Sequence, residues 1–161
     1  LGLFGYISSI AGIGGSGGAN TYVTSGYLNS NQTITSSNLT DITFLTDNDP
    51  QNWYNTGTYR FTPNVAGYYQ FNSQIDNQTG SPSRQFLDIY KNGSNAKTGL
   101  DIGISTGNFN QAAGAVINAL IYANGTTDYF EMYYAQYSGS NKTSSYGSVN
   151  SYFQAALIRS A

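Results

Sequence analysis

FTPNVAGYYQFNSQI, residues 61–75, decides the fold. From Ala66 onward it alternates. Tyr69, Phe71, Ser73 and Ile75 fall on one face of an extended chain, and Tyr68, Gln70, Asn72 and Gln74 on the other. A period of two marks a strand with one face turned to a core. Working outward, TYVTSGYL (21–28) is rich in β-formers, and NLTDITFLT (38–46) aims Leu39, Ile42 or Phe44 at a core. FLDIYKNG (86–93) puts Leu87 and Ile89 on one face and ends in Asn92-Gly93, a hairpin signal because both residues tolerate positive φ. AVINALIYANG (115–125) is more continuously apolar; its Val, Ile and Tyr content and terminal Asn124-Gly125 favour a buried strand over a helix. DYFEMYYAQY (128–137) sets Phe130, Met132 and Tyr134 against Tyr129, Glu131 and Tyr133, and SYFQAALI (151–158) sets Phe153, Ala155 and Leu157 on one face. Eight to ten such strands, with a turn every ten residues or so, predict an all-β sandwich or barrel.

Composition narrows the function. Of the 161 residues only 9% are charged and 15% are aromatic, with 15 Tyr. That is too aromatic and too weakly charged for a disordered chain. Six Lys and Arg against eight Asp and Glu supply no basic face for nucleic acid. No stretch approaches the length of an apolar membrane helix. With no His and no Cys, disulfides, thiolate chemistry and His-based triads are excluded. Nothing should titrate between pH 6 and 8 unless a carboxylate is strongly buried.

Residues 1–20, LGLFGYISSIAGIGGSGGAN, carry Gly or another small residue at every third place: Gly2, Gly5, Ser8, Ala11, Gly14 and Gly17. That period suits three chains wound about one axis. The segment reads as the end of a stalk or as a flexible linker, with the head domain at 21–161. Gly12, Gly14 and Gly17 spell G-x-G-x-x-G, but the β-rich ANTYVTSGYL follows where a dinucleotide site needs a helix. GLFGYISSIAG looks like a membrane-fusion peptide, yet it lacks charged flanks. No cofactor is implied.

The signature residues Phe61, Pro63, Ala66, Gly67, Tyr69 and Phe71 resemble the motif of the globular head of complement component one, subcomponent q. IYKNGS (89–94) resembles that family's Lys-Asn-Gly hairpin. ANGTTDYFEM (123–132) resembles its Gly-Asp-x-Val-x-Val strand, with Asp128, Phe130 and Met132 in place. SYFQAALI, with Phe153, resembles its closing strand. Thr126 and Thr127 separate Gly125 from Asp128, and Ala155 stands where Gly is usual, which makes this a distant likeness. The resemblance implies a jelly-roll sandwich of about ten antiparallel strands, shared with tumour necrosis factor, that assembles as a homotrimer after a stalk. TDNDPQNWYNTGTYRFTP (46–63) is similar to the copies on bacteriophage fibres. The function implied is a non-enzymatic structural and attachment domain at the virion surface or outside the cell. Its partners would be other virion proteins through the stalk and a host-surface glycan or receptor. A secreted carbohydrate- or protein-binding ligand, or a polysaccharide-degrading enzyme, is the alternative.

Candidate site residues are few. Asp47 and Asp49 offer oxygen ligands for calcium, although Asx residues before Pro50 also stabilise turns. Trp53 and Tyr54 offer rings for stacking on sugars, unless Trp53 packs as a lid over the end of the sandwich. These four residues make loop 46–57 the expected ligand site, ahead of loops 76–84, 105–111 and 138–148. Phe61, Gly67, Tyr69, Phe71, Phe130 and Phe153 are the expected core.

Overall fold

Phe61 sits at the middle of the molecule, within 5.7–6.2 Å, ring centre to ring centre, of Trp53, Tyr69, Phe71, Phe130 and Phe153. The structure, a computed structural model, describes residues 22–77, 82–103 and 114–161. The Gly-rich segment 1–20, with its expected stalk and G-x-G-x-x-G, lies outside the described residues.

Those residues form fourteen strand segments and no helix. They are β1 (Val23–Tyr27), β2 (Thr33–Ile34), β3 (Thr40–Asp41), β4 (Leu45–Asn48), β5 (Tyr54–Asn55), β6 (Arg60–Phe61), β7 (Gly67–Ile75), β8 (Arg84–Lys91), β9 (Ser94–Thr98), β10 (Ile102–Gly103), β11 (Ala115–Ala123), β12 (Phe130–Tyr137), β13 (Lys142–Thr143) and β14 (Tyr152–Ser160). A five-stranded sheet runs β11-β7-β14-β1-β4. A larger sheet runs β10-β8-β12-β6-β5, with β3 also on β12 and β9 on β8, and β13 pairs with β2. The strand pairs are antiparallel. This is the expected jelly-roll sandwich.

The alternation in β7 holds throughout. Tyr69, Phe71, Ser73 and Ile75 are buried, and Tyr68 is 43% exposed on the opposite face. Tyr69 is fully buried, yet its hydroxyl donates to Val65 O at 2.8 Å, which offsets the cost of burying the phenol. Gly67 is required by space: a Cβ there would lie 2.3 Å from Arg159 O on β14. The Asn92-Gly93 turn forms as expected, with φ of 54° and 76°, and joins β8 to β9.

Three expectations are corrected. The run 38–46 is not one strand. It breaks between β3 and β4, with Ile42 and Phe44 buried in the gap and Leu39 turned out. Asn124-Gly125 ends β11, but the chain then crosses to the other sheet. Asn124 Oδ1 accepts from the backbone N–H of Thr126, Thr127 and Asp128, so the side chain shapes the crossing. The two inserted threonines fit inside this turn. Finally, β11 is not buried on both faces. It is an edge strand that sends Ala115, Ile117, Ala119 and Ala123 inward and leaves Val116, Leu120 and Tyr122 40–52% exposed.

Candidate subunit interface and the 46–57 loop

The exposed side of β11 continues across its sheet in rows set by register. Tyr122 faces Tyr68, which faces Arg159, with Ile158 beside them. Leu120 faces Gln70 and Ala156, while Asn118 faces Asn72 and Gln154. Tyr68 and Tyr122 make an edge-to-face ring pair at 5.5 Å. Tyr68, Leu120 and Ile158 line a shallow depression with Arg159. One end of the face is thus apolar and the other is amide-rich. In these three rows Arg159 is the only charged side chain. Large apolar side chains left half-exposed in one patch mark a surface made for covering.

The loop 46–57 is built inward. Asp49 accepts hydrogen bonds from Thr24 Oγ1 at 2.9 Å, Trp53 N at 3.1 Å and Tyr54 N at 2.8 Å. Its carboxylate therefore ties the loop both to β1 and to its own backbone four and five residues on. Asp47 accepts from Ser25 Oγ. Among the described residues no three acidic side chains come together as a metal-binding group. Trp53 is 3% exposed, its Nε1 donates to Asn64 Oδ1 at 3.0 Å, and Tyr22 stacks on it at 5.7 Å. Tyr54 packs against Phe153 at 5.6 Å. The expected exposed stacking surface is corrected on this point: both rings serve the core, because the loop folds back over the end of the sandwich. Phe61, Gly67, Tyr69, Phe71, Phe130 and Phe153 are all buried.

Two ionic features are set by tertiary contacts. Asp128 is nearly buried. Lys91 Nζ lies 2.8 Å away, Asn92 Nδ2 donates at 2.7 Å and Asn124 N at 2.8 Å. Burial pushes its pKa up, but these donors outweigh burial and hold it below the usual value. Asp41, on β3, goes the other way. Burial, then the nearby Glu131, push it up to about 7, against opposing effects of Ile42 N–H and Arg60. A carboxylate thus titrates near neutrality in a chain without His. Its burial and its nearness to Glu131 are set by the fold and are invisible in sequence order.

No family model matches the sequence, and no curated protein matches it. Solved structures do match. The Eiger tumour necrosis factor of S. frugiperda aligns with a TM-score of 0.65 at 12% identity, covering 86% of this chain and 93% of that one. The globular domain of zebrafish complement 1qA aligns with a TM-score of 0.55 at 14% identity, covering 86% and 98%. Vertex protein P5 of phage PRD1 aligns with a TM-score of 0.64 at 19% identity, covering 88% of this chain and all of that one. The fold is the jelly roll that tumour necrosis factors, complement q heads and this phage vertex protein have in common.

Proposed function

We propose that the chain is the head of a homotrimeric fibre or surface decoration, structural rather than enzymatic, with a role in attachment on a phage virion. The carrying observation is β11. Its continuous apolar run has the composition of a strand buried on both faces, yet one face lies open. A second copy of the chain laid on Tyr68, Leu120, Tyr122 and Ile158 would bury that face. Each half-exposed large side chain so covered would contribute about 1 kcal/mol. The amide rows beside it would give hydrogen bonds that set the orientation of the copies. The likeness to a phage vertex protein supports the virion setting.

Light scattering on the purified chain should give about three times 17.3 kDa. A monomer at micromolar concentration would overturn the reading.

A further inference from the structure

Asp41 lies where four elements of the larger sheet meet. On β3 it is paired across from Tyr133 of β12. Glu131 of β12 is 5% exposed and takes the Nε of Arg60, on β6, at 2.8 Å. The Arg60 guanidinium also sits 4.1 Å from the centre of the Tyr129 ring. Tyr54 of β5 and Tyr133 are close enough to feel the Asp41 charge. One cation therefore serves two carboxylates, and it is already committed to Glu131. Asp41 Oδ1 is buried without a hydrogen-bond partner.

We propose that residues 40–61 form a strap whose grip on β12 loosens when Asp41 loses its proton. The strap spans the sandwich. β4 at one part of it belongs to the five-stranded sheet, and β3, β5 and β6 belong to the other. It carries Ile42, Phe44, Trp53 and Phe61 into the core. Its hold on β12 rests on two residues of β3, the Phe61–Phe130 pair of β6, the Arg60–Glu131 ion pair and the bond from Ile42 N to Met132 O at 2.9 Å. A protonated Asp41 is neutral and can donate to a neighbouring oxygen. An ionised one leaves a half-buried negative charge near Glu131 with no cation of its own. The charged and titratable groups facing Asp41 are Glu131, Arg60, Tyr54 and Tyr133.

The sign follows from the direction of the shift. Asp41 holds its proton more tightly in the folded chain than in the unfolded one. Its contribution is therefore complete below about pH 4, falls as pH rises, and is lost above about 7. The mildly acid form is the closed one.

Two measurements on the intact chain test the proposal. A carbon-detected titration of the Asp41 carboxyl should give a midpoint near 7; a midpoint near 4 overturns the proposal whatever any variant does. Hydrogen exchange at Ile42 N–H, corrected for intrinsic rate and compared with the centre of β7, should open up to about a hundredfold more readily at pH 8 than at pH 5. Asp41→Asn should abolish that difference, and Asp101→Asn, at an exposed carboxylate, should keep it. Equal opening at both pH values in the wild-type chain, or a difference that survives Asp41→Asn, overturns the proposal.

Discussion

The ring of Trp53 lies within 4° of parallel to the ring of Tyr22, while its Nε1 is bound to Asn64. Trp53 therefore clamps the start of β1 to the 46–57 loop and to the aromatic core: Tyr22 stacks on it, and Phe61 and Tyr69 meet it edge-to-face. Trp53→Ala should destabilise the domain by about 3–5 kcal/mol, the range for a large aromatic truncated in a core. Urea denaturation followed by far-ultraviolet circular dichroism measures this. A variant as stable as the wild type would show the clamp to be ornamental.

Tyr69→Ala and Phe71→Ala should each cost about 3–5 kcal/mol, since both side chains are fully buried. Their neighbour Tyr68, on the opposite face, should cost the isolated fold less than about 1 kcal/mol. The three variants, compared by denaturant midpoint, test the register of β7 directly. Similar midpoints for all three would contradict it.

Leu120→Asp places a charge in the middle of the open apolar face, where the side chain is 52% exposed in the single chain. The fold should survive, but the assembly should not. Sedimentation is expected to show the mass dropping to about that of one chain, with the circular dichroism spectrum unchanged. An intact oligomer would place the interface elsewhere.

Gly67→Ala forces a Cβ to within 2.3 Å of a β14 carbonyl oxygen and 2.7 Å of Leu157 Cδ1. Backbone cannot yield as a flexible side-chain tip can, so the cost should reach about 1–3 kcal/mol or more. Thermal melting of the variant checks it, and an unchanged melting temperature would refute this account of the signature glycine.

Asp128 should make the fold sensitive to acid. Its folded pKa is depressed by Lys91, Asn92 and Asn124, so its contribution is present above the unfolded value near 3.8 and is lost as pH falls through the folded one. Asp128→Asn should lower the melting temperature at pH 7 by several degrees and flatten the loss of stability on the acid side. Parallel melting curves from pH 7 to pH 2 for wild type and variant would rule it out.

The strand faces were legible in the sequence because alternation is a local property. In β7 whether a side chain points in or out follows from its parity, although in β8 and β12 Asp88, Glu131 and Ala135 are buried on the opposite parity as well, and the hairpin at Asn92-Gly93 follows from two residues that accept positive φ. The identity of the fold was legible too, through spaced residues such as Gly67 and Tyr69, which answer to a close strand crossing and to a buried hydroxyl that needs Val65. Tertiary structure alone decided the rest. Parity cannot say that β11 ends a sheet or that, among the described residues, the outer face bearing Leu120 and Tyr122 lies open. A loop rich in Asp, Trp and Tyr looks like a binding surface in one dimension, and only the fold shows Asp49 bound to β1 and Trp53 turned into the core. The neutral-range titration of Asp41 likewise depends on Glu131, ninety positions later in the chain, because a pKa is set by what lies nearby in space and by how much water has been removed.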